Sequence, residues 1–397
     1  MSLATLNRPL NMGIVGGGSD SFIGKVHRIA AQLDGKIKLV AGALSIDPKI
    51  ALQSGKDLFL SENRTYLNYQ DMVAKEASLP AGERIDFVAV VTPDDTHVPI
   101  SLAFLEAGIN VMCEKPVAVT LEDAHRLRDT VRKTGRIFGI MHGYTGYPLV
   151  RHARAIVRSG KIGQVYKIIA EYPQDWILPH GDDKPQIAGW RMDPKYGKSL
   201  SMGDIGIHAA HLARFITGLE IDTLNADLQT YTPGGRRDDD GNVLVRYKAQ
   251  GDAPAAHGII YASQVSAGEE NALTIRIYGS KGGIEWHQEN PNQLILKTKA
   301  EPTQILTRAQ PYLDKLAGGL NGRNQRIPTG HPEGFIEAFA NIYLDFADDV
   351  AALAQGQKPA AEPIYPDIDD AVFGKTFVEY ATRSNESGEK WLKFPEI

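Results

Sequence analysis

The first third of the chain alternates short apolar runs with longer amphipathic segments, and this alternation restricts the fold more than any other feature. Between Pro9 and Tyr144, apolar runs bounded by turn residues predict strands, and the stretches between them place apolar residues at helical spacing. The predicted strands cover residues 10–15, 37–43, 86–92, 110–113 and 136–141, and the predicted helices cover 22–33, 69–77, 98–107 and 121–134. Strands that alternate with helices predict a doubly wound parallel sheet with helices on both faces.

After Tyr144 the pattern becomes dominated by strands. A helix is predicted at 149–159 and a strand at 165–172, followed by strand-like segments at 243–247, 258–264, 273–278 and 293–297. Gly, Asp, Asn and Pro separate these segments, which predicts an open, mostly antiparallel sheet distinct from the first one. A long helical pattern covers 332–354. We therefore expect an α/β protein with two domains, residues 1–143 and residues 144–397.

Composition narrows the class of partner. The chain has 397 residues, 43% hydrophobic and 23% charged, with a formal net charge of -5. This slight acidity, without a long basic run, argues against a nucleic-acid partner. The single cysteine, Cys113, excludes an internal disulfide, and no run reaches the roughly 18 apolar residues that a membrane helix needs. Because the N-terminus carries no secretion signal, we expect a cytoplasmic protein with a small-molecule partner and no membrane association.

A glycine-rich turn follows the first predicted strand. Residues 13–18 read G-I-V-G-G-G, and the next glycine is Gly24, as if residues 19–21 were inserted into a G-x-G-x-x-G motif. Glycines at this place let the backbone approach a pyrophosphate, which the N–H groups of the next helix then face. Glycine turns are common, but the position between a strand and a helix favours a dinucleotide site. The expected cofactor contacts here are Gly16, Gly18, Phe22 and Ile23.

The end of the second predicted strand does not decide between NAD and NADP. Ser45 occupies the position where an acidic residue commonly binds the adenosine ribose. The nearest carboxylate, Asp47, is better explained as the cap of the next helix. No acid at the ribose position repels a 2′-phosphate and no arginine beside it binds one, so the expected cofactor is NAD or NADP.

A third loop, residues 92–97, follows the central predicted strand at the edge where ligands of such sheets bind. Thr92 and Pro93 are expected to contact the cofactor there. For Asp95 and Thr96 we favour a turn that caps the following helix. His97 is compatible with a contact to cofactor phosphate or ribose, and equally with a place in that turn.

Two further segments carry groups that handle protons. Glu114-Lys115-Pro116 closes a predicted strand, where Glu114 and Lys115 would lie beside the cofactor and Lys115 would face the ligand crevice. Asp204 and His208 are four residues apart, so a helical turn would place both on one face and the carboxylate would orient the imidazole. Alone, such a pair is more often structural.

The order and separation of these segments, together with Trp190-Arg191, resemble the Gfo/Idh/MocA oxidoreductase family, which includes glucose-fructose oxidoreductase and inositol dehydrogenases. The resemblance covers essentially the whole chain. It implies an N-terminal Rossmann domain, a nicotinamide cofactor, and a C-terminal α/β domain on a large open sheet that binds substrate and forms oligomers. A homodimer or homotetramer is expected, mainly from this resemblance.

The resemblance also implies roles for individual residues. Lys115 matches the family lysine near the substrate hydroxyl, Asp204 matches the catalytic aspartate, and His208 matches the catalytic histidine. The bond between Lys115 and Pro116 matches a position that can be cis. We therefore expect Lys115, Asp204 and His208 to be the catalytic residues.

Two positions depart from the family pattern, and both bear on substrate recognition. His211 stands where many relatives have an aspartate, and Thr145 rather than arginine follows Tyr144. Residues 173–190 form an aromatic and proline-rich loop whose rings suit a sugar face, although the same rings would also suit packing between domains. The expected substrate contacts are Lys115, Tyr144, Trp176, Arg191, Asp204, His208 and His211.

The function expected from these residues is reversible oxidation of a secondary alcohol on a sugar, inositol or similar polyol. Removal of the hydroxyl proton needs a base, for which His208 oriented by Asp204 is the first choice, while Lys115 favours the alkoxide-like oxygen. Two alternatives stay open: NAD-dependent glycoside cleavage on the same scaffold, and a cofactor-binding regulator without catalysis. No metal requirement is expected, and the polar stretch 232–242, which contains the acidic run 238–240, predicts an exposed turn.

Overall fold

The computed structural model describes residues 6–179, 193–251, 253–313 and 324–397. The chain forms two compact units, the first made of Met1–Gly146 with Phe335–Val372 and the second of Tyr147–Gly334 with Phe373–Ile397. The first unit thus includes Phe335–Val372, which the sequence-based division after residue 143 assigned to the second domain. None of the helices in the described ranges is both long enough and apolar enough to cross a membrane.

The helices follow local signals in the sequence. Their bounds are α1 (Phe22–Gln32), α2 (Pro48–Asp57), α3 (Tyr69–Ser78), α4 (His97–Glu106), α5 (Leu121–Thr134), α6 (Pro148–Arg158), α7 (Ile207–Thr217), α8 (Phe335–Ala354) and α9 (Ile368–Glu386). Helix α5 has a capping residue at each end. Thr120 accepts a hydrogen bond from the N–H of Asp123 at the start, and Gly135 ends the helix with φ +62°. The helices predicted at 22–33 and 121–134 are confirmed to within one residue.

The first unit contains a five-stranded parallel sheet. Its strands are β1 (Leu10–Gly16), β2 (Ile37–Ala43), β3 (Phe87–Val91), β4 (Asn110–Cys113) and β5 (Phe138–Ile140), in the spatial order β2-β1-β3-β4-β5. Strands β3 and β4 are buried along their whole length, as expected when helices cover both faces of a sheet. The strand order reverses between β1 and β3, so the loops that leave these strands flank the crevice where such sheets bind ligands.

Helix α8 belongs to the core of the first unit although it comes late in the chain. Phe339, Tyr343 and Phe346 are buried in one apolar cluster with side chains from β1, β3 and α1. The rings of Phe346 and Phe87 meet edge to face with centroids 5.2 Å apart. Full burial of one such side chain stabilises the fold by about 1.5–3 kcal/mol. Helix α8 therefore contributes strongly to the stability of this unit.

The second unit contains a nine-stranded sheet. Its strands are β6 (Val165–Pro173), β7 (Ile221–Gln229), β8 (Asp240–Tyr247), β9 (His257–Ser263), β10 (Thr274–Gly279), β11 (Gly282–His287), β12 (Gln293–Thr298), β13 (Gln304–Thr307) and β14 (Leu392–Lys393). The spatial order is β13-β12-β11-β10-β6-β9-β8-β7-β14, and the pair β6–β9 is parallel whereas the other neighbours are antiparallel. The predicted fold class, a parallel sheet followed by an open, mostly antiparallel one, is confirmed.

One face of this second sheet is buried. Along β8 buried residues alternate with more exposed ones, which is the pattern of a sheet covered on one side. Helix α7 contacts β6, β9 and β10, and α6 contacts β11 and β12. Because β6 and β9 run in parallel, their carboxyl ends lie at the same edge of the sheet, and the turn that precedes α7 contacts both strands.

Candidate active site

The loop after β1 approaches its neighbours so closely that it requires glycine. Gly16 and Gly17 have φ values of +76° and +64°. A Cβ on Gly16 would lie 2.6 Å from the carbonyl oxygen of Val91, and one on Gly24 would lie 2.3 Å from Cα of Gly17. Gly24 therefore acts as the third glycine of the motif, because it lets α1 pack directly against the loop.

Residues 19–21, which resemble an insertion in the sequence, contact a neighbouring helix through Ser19. The N–H of Ser19 donates to the hydroxyl of Ser54 on α2 at 3.1 Å. Arg28 on α1 donates to the carbonyl oxygen of Gly18 at 2.9 Å, and burial lowers the pKa of this arginine. The first turn of α1 contains no acidic residue, so its N-terminus favours an anion such as a pyrophosphate.

The cofactor positions expected in the first unit lie where β1 and β3 end. Phe22 is 78% exposed at the start of α1, while Ile23 packs partly against the core. Thr92 is partly exposed and Pro93 is exposed directly after β3. Strands β1 and β3 are paired neighbours in a parallel sheet, so these residues and Gly16 lie at one edge of the sheet.

Ser45 and Asp47 organise the loop after β2. The hydroxyl of Ser45 accepts a hydrogen bond from the N–H of Asp47 at 3.1 Å. The carboxylate of Asp47 accepts from the N–H groups of Lys49 and Ile50 at 2.8 and 3.2 Å. Asp47 is therefore the cap of α2 that the sequence indicated, and it places a negative charge at the helix end nearest Ser45.

His97 holds two loops of the first unit together. It is 1% exposed, and its two ring nitrogens lie 2.7 Å from the carbonyl oxygen of Thr92 and 2.8 Å from that of Pro116. Carbonyl oxygens only accept, so both nitrogens donate when the ring is an imidazolium. Burial alone would lower the pKa of His97, but Cys113, Asp94 and the Pro116 carbonyl outweigh it and raise the pKa to about 10. His97 was a candidate cofactor contact in the sequence, but its ring is buried and both of its nitrogens contact the backbone of the first unit.

Glu114 faces the interior of the first unit, whereas Lys115 is partly exposed. The Glu114 carboxylate accepts from the N–H of Lys115 at 3.0 Å and lies 2.7 Å from the Nε2 atom of His27. Burial opposes ionisation of Glu114, but the hydrogen bond and charge of His27 and the charge of Lys115 outweigh it and lower its pKa. The Lys115–Pro116 peptide bond is cis, as the family resemblance allows. Of the two charged residues in this segment, Lys115 is thus the more exposed.

In the second unit, Asp204 and His208 are the two partly exposed residues in an otherwise buried stretch, residues 200–213. Asp204 lies in a π-helical turn, Met202–Gly206, that leads directly into α7, which carries His208. Such turns are frequent at functional sites. Residues four apart on a helix share a face, so a carboxylate and an imidazole here are both accessible while their neighbours pack into the core.

Gln264 holds Asp204 in place. Its side-chain amide donates to the Asp204 carboxylate at 2.9 Å, and the glutamine is fully buried directly after β9. The backbone N–H of Gln264 donates to the carbonyl oxygen of Asp239 at 2.8 Å, which fixes the glutamine itself. Gln264 was not predicted as a site residue, because 60 residues separate it from Asp204 and no sequence spacing connects the two.

The loop between β7 and β8 holds the segment that enters the π-helical turn. Asp238 accepts from the hydroxyl of Ser199 at 2.8 Å, and from both the N–H and the hydroxyl of Ser201. Burial raises the pKa of Asp238 although these hydrogen bonds oppose the shift. In the stretch 232–242, predicted as an exposed turn, Pro233, Gly234 and Arg236 are exposed, but the prediction is wrong for Asp239, which is fully buried. Within the described ranges, no group of three His, Cys, Asp or Glu side chains is arranged to hold a metal.

Polar side chains also gather at the carboxyl end of β6, next to His208. The hydroxyl of Tyr172 donates to Oδ1 of Asn271 at 2.6 Å, and the amide of Gln174 donates to the same oxygen at 2.7 Å. The ring centroids of Tyr172 and His208 are 6.2 Å apart. Trp176 packs partly against a small apolar cluster at the same strand end. Amides, a phenol and an aromatic ring suit a ligand rich in hydroxyl groups.

Two other expected substrate contacts are buried, and a third cannot be placed. His211 is fully buried on α7, with its ring centroid 6.3 Å from that of Phe215. Tyr144 is buried in the first unit, with its ring 6.0 Å from that of Phe335. Arg191 lies outside the described residues. Among the expected substrate contacts in the described ranges, the partly exposed ones are Lys115, Trp176, Asp204 and His208.

Comparison with known proteins identifies both parts of the chain. A family model described as "Oxidoreductase family, NAD-binding Rossmann fold" matches residues 10–142, and one described as "GFO/IDH/MocA C-terminal domain" matches residues 150–285. The chain belongs to the GFO/IDH/MocA oxidoreductase family. It is therefore an oxidoreductase with an NAD-binding Rossmann fold in its first unit, which confirms the resemblance seen in the sequence.

Relatives match this GFO/IDH/MocA member over its whole length. The uncharacterized oxidoreductase YfiI of Bacillus subtilis (strain 168) is 34% identical over 396 residues, which cover 98% of each chain. The crystal structure of an oxidoreductase from Sinorhizobium meliloti is 42% identical, covers 98% of this chain and 100% of its own, and has a TM-score of 0.85. An inositol dehydrogenase homolog from Azotobacter vinelandii, complexed with NADH and myo-inositol, is 33% identical, covers 98% of each chain and has a TM-score of 0.86.

Proposed function

We propose that this oxidoreductase is an NAD-dependent dehydrogenase that oxidises a secondary hydroxyl group of an inositol, a sugar or a related polyol. The observation that carries the proposal is the accessible pair Asp204 and His208 in a buried stretch, beside the hydrogen-bonded polar side chains at the end of β6. A relative of similar length and fold binds NADH and myo-inositol together, which supports the same substrate class here.

The first unit fits the cofactor. The glycine loop and the N-terminus of α1 suit its pyrophosphate, because Gly16 and Gly24 leave no room for a side chain and the first turn lacks acidic residues. Ser45 would bind the adenosine ribose. NAD is favoured over NADP because Asp47 places a carboxylate at the neighbouring end of α2, where it would repel a 2′-phosphate. NAD+, when bound, accepts the hydride from the substrate carbon.

The proposed proton chemistry involves three residues of this chain. His208 takes the proton of the substrate hydroxyl, and Asp204, held by Gln264, orients the imidazole and stabilises its charged form. Lys115 donates a hydrogen bond to the oxygen and stabilises the negative charge that develops on it. Gln174, which shares the oxygen of Asn271 with the buried Tyr172, would lie near the hydroxyl groups that do not react.

The test is a screen of the full chain with NAD+ or NADP+ against inositols and aldoses, followed by NADH absorbance. We expect turnover with NAD+ and at least one inositol or aldose. Lys115→Ala and His208→Ala should lose about 100-fold to 10,000-fold in kcat. NADH affinity, measured by fluorescence, should survive in both variants. Near-normal turnover in either variant would contradict its role, and release of a sugar from a glycoside without net NADH would instead indicate glycoside cleavage.

A homodimer or homotetramer is part of the proposal. The pairing of β8, β9, β6, β10, β11, β12 and β13 places one row of side chains on the more exposed face of the second sheet. The row consists of Leu244, Ile259, Ile169, Arg276, Glu285, Ile295 and Ile305. Five of these seven side chains are apolar, and such a sheet face favours a second copy of the chain as its cover. Sedimentation as a monomer at micromolar concentration would contradict the proposed oligomer. The cytoplasmic location stays a prediction.

A further inference from the structure

We propose that His27 and His97 are positioning residues for Lys115, and that each of them holds the backbone on one side of that lysine. The proposal rests on the proposed function of Lys115, but its geometry lies entirely in the first unit. The two histidines are 0% and 1% exposed, so they act on the reaction through Lys115 and not by touching the substrate.

His27 fixes the residue before Lys115. Its Nε2 atom lies 2.7 Å from one oxygen of the Glu114 carboxylate, and the second oxygen accepts the N–H of Lys115 at 3.0 Å. Its Nδ1 atom lies 2.6 Å from the hydroxyl of Tyr343 on α8. The imidazole is therefore held at both nitrogens, and through the carboxylate it determines where the backbone of Lys115 lies.

His97 fixes the residue after Lys115. One ring nitrogen lies 2.8 Å from the carbonyl oxygen of Pro116, and the other lies 2.7 Å from the carbonyl oxygen of Thr92. A fully buried imidazolium with two carbonyl acceptors forms charge-assisted hydrogen bonds, which are shorter and stronger than neutral ones. The backbone is thus held immediately before and immediately after Lys115.

Both histidines also connect Lys115 to the loops that would bind the cofactor. Helix α1, which carries His27, begins directly after the glycine loop. Thr92, which His97 contacts, is the first residue after β3 at the same sheet edge. A cofactor that orders these loops would therefore also order Lys115, through one imidazole in each case.

A merely structural role of the two histidines predicts a different outcome. Loss of a buried imidazole would then lower the unfolding midpoint but leave kcat unchanged at temperatures where the variant is folded. Positioning predicts a loss in kcat with little change in NADH affinity, because a displacement of about 1 Å costs up to roughly 100-fold in rate. It also predicts rescue by a side chain that restores the same donor.

The first experiment compares His27→Leu, His27→Gln and His97→Leu with His257→Gln, which removes an exposed imidazole from β9. We expect the two leucine variants to lose about 10-fold to 100-fold in kcat with NAD+ and the polyol found in the screen. His27→Gln should recover most of that loss, because its amide can donate to Glu114 in place of Nε2. If a leucine variant does not fold, Tyr343→Phe, which deletes only the hydroxyl beside His27, should still lower kcat.

The second experiment needs no substrate. Lysines of the apoprotein are labelled by reductive ¹³C-methylation, and the Lys115 signal is assigned by its absence in Lys115→Arg. We expect this signal to shift in the His27 and His97 variants and to stay in place in His257→Gln. Unchanged Lys115 signals and unchanged kcat in folded variants would overturn the proposal. If the wild type oxidises no polyol, the proposed function fails, and the Lys115 signal still decides the positioning.

Discussion

Lys115 in the first unit and Asp204 in the second are held in place by different means. The backbone around Lys115 is fixed by two buried histidines, one of which lies between two carbonyl oxygens. Asp204 is fixed through its side chain, by the neutral amide of Gln264, on a π-helical turn. Lys115 therefore depends on buried ionisable groups on both sides of its backbone, whereas the direct contact that holds Asp204 is a neutral amide.

The largest expected effect is the pH dependence that His97 gives to the first unit. The pKa of His97 is raised from its ordinary value of 6.5 to about 10, against burial, by Cys113, Asp94 and the Pro116 carbonyl. The folded chain therefore binds the proton more tightly than the unfolded chain. The stabilisation is fully present below pH 6.5 and is lost as the pH rises towards about 10.

The measurement is the urea midpoint of the wild type and of His97→Leu at pH 6, 8 and 10. We expect the difference between the two midpoints to shrink as the pH rises, because the variant lacks this titration. Titratable groups that do not interact with His97 affect both proteins equally and cancel in the difference. His257→Gln, at an exposed position, should differ from the wild type by the same small amount throughout. A difference in midpoint that stays constant from pH 6 to 10 would show that His97 is not an imidazolium.

The next effect concerns the second unit, where Gln264→Leu removes the amide that donates to Asp204. We expect kcat to fall about 10-fold to 100-fold, since a misplaced carboxylate no longer orients His208. NADH affinity should be unchanged because the variant leaves the first unit intact. The matched control is Gln229→Leu, which removes an exposed glutamine that donates to Asp227 at 2.9 Å. Equal kcat in the two variants would contradict the positioning of Asp204 by Gln264.

The elements of the fold were more predictable from the sequence than the contacts that support the site. The bounds of β2, β4 and α5 are local properties, because a short apolar run, a capping Thr120 and a terminal Gly135 fix them. Strand β11 was missed, since it begins with two glycines that resemble a turn. Helix α8 was predicted as a helix, but nothing local indicates that its aromatic face completes the core of the first unit.

The site residues also differ in how far they could be predicted from local sequence. Lys115, Asp204 and His208 stand out in sequence because they occur in short motifs with a fixed spacing. Gln264 and His27 are isolated in sequence, at 60 and 87 residues from the side chains that they contact. His97 was noticed, but its function depends on the carbonyl oxygen of Pro116, which no pattern of side chains indicates.

The smallest expected effects come from two single hydroxyl groups, one that supports Lys115 and one that supports Asp204. Tyr343→Phe deletes the hydroxyl beside His27, and Ser201→Ala deletes a hydroxyl that donates to Asp238 before the π-helical turn. Each loss of a buried hydrogen bond should cost about 0.5–1.5 kcal/mol of stability, and we expect a roughly 2-fold to 10-fold loss in kcat. Because the two hydroxyl groups belong to different units, their effects on kcat should multiply in the double variant. A double variant no slower than the slower single variant would mean that Lys115 and Asp204 are held as one assembly and not independently.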